Sequence, residues 1–403
     1  GGEKNETDFT KKIQPSDSPV LESQLTYTGA SLKVADANDD EETRDESTTA
    51  LKTAAENFRN TAENVTNYVI KIINKATGND NTLNVTLENV NIDVSREYKD
   101  AALSVEGEGN TTITLKGNNN LTSGDGHAGL EHNEKSKDGS SSVDTGKLTI
   151  TSEKDSGILT ATGGSGAAGI GSSNGKGTGT IEITGGNITA NGGNGGNGGD
   201  NGAGIGSGSM AAGNTNIIIS GGTIEEAVGG STGDGIGGGN SSRNITVTIQ
   251  GGTIKKAQGG NGGNGYGGNG IHSDSTLNIS GQASIQKATG GTGTTTAGSG
   301  IYSRGDLSIS QSAQIKNATG GESQSTGGSG IYNHGKLTIF GGTIGTAQGG
   351  EGKSSGSGNG GHGIYSKTME ILGGIIQKAI GGNANGNTCT GGSGIHSDGT
   401  LTI

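Results

Sequence analysis

The sequence predicts an all-β fold: a single right-handed parallel β-helix (solenoid) of about eleven coils on three short parallel sheets, with a helical or irregular N-terminal cap. Three observations carry this. A unit of about 30 residues recurs through most of the 403-residue chain and is plainest over 299–330. Each unit holds three short period-two segments, centred in that stretch on Ile301, on Leu307 with Ile309, and on Ile315. The aliphatic residues keep this register although only 26% of the chain is apolar, 2% is aromatic and 86 residues are glycine. Without periodicity, such a composition would describe a chain too polar to offset its own entropy.

Taken in order, residues 1–45 are polar, hold both prolines (Pro15 and Pro19) and end in Asp39-Asp40-Glu41-Glu42, the pattern of a linker or weakly ordered edge. Residues 46–76 are the expected cap. There Leu51, Ala54, Ala55, Phe58, Ala62 and Val65 recur at helical spacing behind Thr48 or Thr49 as N-cap. A helix so placed would cover the open apolar end of the first coil.

The β-helix is expected over 77–403. One inward row runs Leu87, Leu115, Ile150, Ile183, Ile219, Ile249, Ile279, Ile309, Ile339, Ile371 and Ile403. A second is the Gly-Ile pair at 169–170, 204–205, 235–236, 270–271, 300–301, 330–331, 363–364 and 394–395, with Gly129-Leu130 as an earlier member. The third is Ile-x-x-Ala-x-Gly-Gly, starting at Ile158, Ile224, Ile254, Ile285, Ile315, Ile344 and Ile376, with Ile188 one residue short. Its alanine suits a tight corner, and the glycines around it allow positive φ. No coil offsets its ordering entropy alone, so stability must come from stacking.

Net charge is −12 with no basic cluster, which argues against nucleic acid and against an anionic membrane surface as partners. No apolar run is long enough to insert into a bilayer. Cys389 is the single cysteine, so no intrachain disulfide is expected. The chain starts without methionine or a signal-like segment and ends within a strand motif. It therefore reads as a fragment, with targeting and anchoring segments outside it.

Leu83-Asn84-Val85-Thr86-Leu87-Glu88-Asn89-Val90-Asn91-Ile92, Ala128-Gly129-Leu130, Gly146-Lys147-Leu148-Thr149-Ile150 and Gly166-Ala167-Ala168-Gly169-Ile170-Gly171 resemble the glycine-rich β-helix segments of large surface proteins from Gram-positive gut bacteria, within the pectate-lyase-like architecture. The resemblance covers about residues 69–403 and implies a carbohydrate-binding or adhesin role.

The candidate site follows the Gly-Ile row. With isoleucine inward, alternation turns the second and fourth residues outward. That gives one rank of His272, Tyr302, Tyr332, Tyr365 and His396, beside a second of Asp274, Arg304, His334, Lys367 and Asp398. Rings that cover apolar sugar faces, flanked by groups that fix orientation, suit an extended glycan. The same ladder also serves stability alone, through ring stacking and the pairs Asp274 with Arg304 and Lys367 with Asp398.

No cofactor is expected. Calcium is the one ion left open, since acidic β-helices can hold it between turns, but the glycine loops offer asparagine far more often than aspartate, Asp200 and Asp234 excepted, which disfavours a specific site. No compact Asp-Asp or Asp-His grouping falls on one strand row, which disfavours catalysis. The expectation is a monomeric, non-enzymatic, secreted or cell-surface binding protein engaging a glycan or a host glycoprotein or secreted protein. A structural stalk and a polysaccharide-active enzyme are the alternatives.

Overall fold

In the computed structural model, residues 6–8, 21–35, 41–44, 47–52, 68–78, 82–96, 99–134, 145–196 and 199–403 are described. The chain winds as a right-handed β-solenoid of about ten turns. From Leu83 onward every pairing between strands is parallel, and each coil lies in register on the one before. Period-two alternation does the work: in the strand Leu148–Ser152, Leu148 and Ile150 are fully buried while Thr149 and Thr151 are partly exposed. Stacked coils then place like on like, so Ile181, Ile217 and Val247 form one column of a continuous core.

The inward rows hold with two corrections. Ile150 stacks on Ile113, and Ile113 on Val85, so the first row passes through those two residues and not through Leu115 and Leu87. A two-residue displacement keeps the same face inward, which is why periodicity alone did not betray it. In the third row Leu159, not Ile158, stacks on Ile188; Ile158 is 41% exposed. The missing residue after Ile188 is absorbed by a bulge between Ile188 and Thr189, after which Ala190 stacks on Ala227. The Gly-Ile row is as expected, from Leu130 on Ile170 through to Ile364 on Ile395. Its face and that of the first row join into one sheet, because Ile331–Ile339 and Ile364–Ile371 run unbroken through the corner between them.

Within the N-terminal 45 residues, Leu21–Tyr27 and Leu32–Ala35 form an antiparallel hairpin, and Leu21–Tyr27 lies parallel to Tyr68–Asn74. Leu25 and Leu32 are fully buried there. Of the segment expected as a capping helix, Leu51 and Lys52 belong to the strand Thr48–Lys52, which pairs with Leu83–Glu88. The rest of that helix lies outside the described residues.

The glycine edge of each coil is a second spine. A zigzag of backbone hydrogen bonds climbs from Gly233 through Gly260, Gly268, Gly291, Gly298, Gly321, Gly328, Gly350, Gly361 and Gly382 to Gly392, each N–H donating to the preceding carbonyl at 2.7–2.9 Å. A Cβ on Gly260 would sit 1.7 Å from the Gly230 carbonyl oxygen, and one on Gly328 1.9 Å from that of Gly298. None of the zigzag glycines has positive φ. Glycine is required here for close backbone approach rather than for turn geometry.

Candidate functional site

The ladder is built by three consecutive residues of each coil. Ile271, Ile301, Ile331 and Ile364 point into the core, and the residues two further on, Ser273, Ser303, Asn333 and Ser366, also turn inward and are fully buried. Their side chains tie down the corner. Ser273 Oγ accepts from Val247 N at 3.2 Å, Asn333 Nδ2 donates to Gly305 O at 2.9 Å, and Ser366 Oγ donates to Thr368 O at 2.6 Å. The residue between two anchored neighbours has one direction left, outward, and the parallel register pairs His272 with Tyr302, Tyr302 with Tyr332, Tyr332 with Tyr365, and Tyr365 with His396.

The five rings make one half-buried stack. His272 meets Tyr302 edge-on, with centroids 5.1 Å apart. Tyr302 and Tyr332, Tyr332 and Tyr365, and Tyr365 and His396 lie nearly parallel, at 5.6, 4.4 and 5.7 Å. The tyrosine faces are thus turned toward one another, so a ligand approaching from outside meets edges and polar tips rather than open ring faces. His334 lies across two coils, edge-on to Tyr302 at 5.5 Å and to Tyr332 at 4.9 Å. Burial holds its imidazole below the ordinary value, and the Arg304 charge adds to this. Burial also raises the Tyr302 and Tyr332 phenols.

Carboxylates clamp His272 and the Tyr365–His396 pair. His272 Nδ1 is 2.7 Å from Asp234 Oδ2 and its Nε2 is 3.1 Å from Asp274 Oδ1. Burial alone would depress this imidazole, but the two carboxylates outweigh it and push it up to about 9. At the other end Asp398 accepts from the Tyr365 hydroxyl and lies 3.1 Å from His396 Nε2. That hydrogen bond is the main reason the Tyr365 phenol is raised.

In the second rank, Arg304 reaches Asp274 at 3.8 Å. Asp398 is engaged by Tyr365 and His396, and among the described residues Lys367 forms no ion pair with it. The expected Lys367–Asp398 pair is therefore replaced. Arg304, His334 and Lys367 stand exposed along the middle of the strip.

Two members were not anticipated. Asp234 comes from the corner one coil before His272, so the structure does assemble a compact Asp-His-Asp group, with Asp274 two residues along in the coil of His272 and Asp234 across the coil step; His396 and Asp398 repeat the pair within one coil, contrary to expectation. The sequence signal of Asp234 is an aspartate in the small-residue place two before Ile236. His362, in the same place before Ile364, stacks on His396 at 4.6 Å and on Tyr365 at 5.7 Å.

The strip has a sharp lower boundary. The outward position of the three preceding coils is Gly171, Gly206 and Gly237, at φ 142°, 139° and 150°. A Cβ on Gly171 would fall 1.7 Å from the Gly206 carbonyl oxygen.

Further down the same face, a concavity of about 540 Å³ is bordered by Lys75, Glu106, Glu108, Glu131, Glu134 and Lys176. Its Glu131 carboxylate is 3.1 Å from His127 Nδ1, and Glu134 accepts from Asn214 N at 2.6 Å. Of the aspartates open to calcium, Asp200 accepts from Asn174 Nδ2 at 2.9 Å, while Asp234 accepts from Asn269 N and Gly238 N besides its contact with His272. Among the described residues no three His, Cys, Asp or Glu are placed to hold a metal ion.

Comparison with protein-family models, curated proteins and solved structures finds no match for this chain.

Proposed function

We propose that the chain is a non-enzymatic binding rod, secreted or displayed on a bacterial surface, that engages an extended glycan or a host surface or secreted protein along the His272–His396 strip. One observation carries this reading: five rings in unbroken register stand half-exposed on one face, with Arg304, His334 and Lys367 open beside them. Because the ring faces are turned toward one another, the strip offers a ligand phenol edges, hydroxyls and cationic tips. Contact by hydrogen bonding to sugar hydroxyls or to a peptide backbone suits it better than stacking of sugar faces. The resemblance to glycine-rich surface β-helices supports the same class of role.

A stalk that displays other domains is the second reading. The mutual stacking of the tyrosines and their clamping by Asp234, Asp274 and Asp398 favour it, since both stabilise the rod without any ligand. The two separate on an array of glycans and host secreted proteins probed with this chain. A ligand captured in a manner competed by soluble ligand supports the binding rod, and no capture on either class supports the stalk.

A further inference from the structure

Two residues before the inward isoleucine, in four of the coils, a side chain at the rim of the strip accepts the backbone N–H of its counterpart one coil on. Asp234 Oδ1 accepts from Asn269 N at 2.8 Å, and Asn269 Oδ1 from Ser299 N at 2.9 Å. Ser329 Oγ accepts from His362 N at 3.2 Å, and His362 Nδ1 from Ser393 N at 3.0 Å. Amide and hydroxyl oxygens accept at any mildly acidic pH. An imidazole nitrogen accepts only while unprotonated.

We propose that His362 is an acid-sensitive rung that couples the coil of Ile395 to the coil of Ile364, so that mild acid loosens the strip between Tyr365 and His396. With Nδ1 accepting, the neutral ring carries its proton on Nε2. A second proton must go to Nδ1, where it turns the acceptor into a donor facing the Ser393 N–H. It also places a cation 4.6 Å from the stacked His396 ring. The charged or titratable groups packed about His362 are His396, Tyr365 and Asp398. Burial, and then His396, hold His362 below the ordinary imidazole value of 6.5, with Asp398 opposing them. The detached coil therefore takes the proton first. Attachment is at full strength above 6.5 and weakens as pH falls through the lower value in the stacked coil. The Asn269 and Ser329 rungs accept through an amide and a hydroxyl, which do not titrate, so they give no such response.

The consequence for ligand binding rests on the function proposed above; the rung itself does not, and its test uses no ligand. Amide exchange of the whole chain, followed at the segment holding Ser393 and corrected for intrinsic rates, is compared at about pH 7.5 and about pH 5. Wild type is expected to lose about tenfold in protection at the lower pH, and His362→Asn, whose amide accepts as Asn269 does, to lose none. Equal protection of wild type at both values, or an equal loss in the variant, overturns the proposal. Should the variant not fold, the ring-nitrogen resonances of wild-type His362 decide: an Nε2–H neutral tautomer titrating below about 6.5 is expected, and an Nδ1–H tautomer overturns it. A failed rung leaves the binding reading standing, and a silent array leaves the rung standing.

Discussion

A Cβ placed on Gly298 would lie 1.8 Å from the carbonyl oxygen of Gly268 one coil below. This contact defines what glycine does in the chain. Backbone lies against backbone along the zigzag from Gly233 to Gly392, and the N–H of Gly298 is itself spent on Gly291 at 2.9 Å.

Gly298→Ala is therefore expected to cost about 3 kcal/mol or more, because a carbonyl cannot move aside as a side-chain tip can. Gly265, which also lies on the glycine edge but would bring its Cβ within 4 Å of nothing, is the control. Its alanine variant should stay within about 0.5 kcal/mol of wild type in urea unfolding.

Asn119 occupies an inward place that Leu159 and Ile188 hold in the next two coils, and it is fully buried. Its Oδ1 accepts from Val90 N at 2.8 Å, and its Nδ2 donates to the carbonyls of Ile158, Lys116 and Leu87 at 3.1–3.3 Å. Asn119→Leu extends the aliphatic row yet strands the Val90 N–H. We expect a net loss of about 2 kcal/mol by denaturant unfolding, not a gain.

His272 gives the rod an alkaline limit. Its value is raised from 6.5 to about 9, so its contribution is fully present below 6.5 and is lost as pH rises through about 9. Thermal unfolding at about pH 7 and about pH 10 should show wild type more stable than His272→Gln by on the order of 2 kcal/mol at the first and by little at the second. A gap that does not narrow would mean that His272 acts through packing rather than charge.

The three inward rows, the Gly-Ile register and the outward ladder were legible because strand alternation and stacking are local and repetitive: knowing that Ile301 is inward fixes Tyr302 outward in every coil. The slip of the first row at Ile113 was not, since a two-residue shift preserves the alternation. Nor was the Lys367–Asp398 exchange, because which oxygen Asp398 offers to Tyr365 or His396 depends on how far each side chain reaches across the coil step. Asp234 and His362 escaped for a related reason. They sit in a corner position that is Ala128, Ala168 or Ala203 in earlier coils, and nothing in the repeat says that this corner borders the strip.

The central claim is that the strip touches a ligand. It is tested most directly by equilibrium binding of the captured glycan or protein to wild type and to a Tyr302→Ala/Tyr332→Ala/Tyr365→Ala variant, with the variant's fold confirmed by circular dichroism and cooperative unfolding. Each ring pair contributes about 0.5–1.5 kcal/mol, so the variant should remain folded though less stable. A loss of at least about tenfold in affinity is the predicted result. Unchanged affinity in a folded variant would contradict the claim and leave the ladder as a spine of the rod.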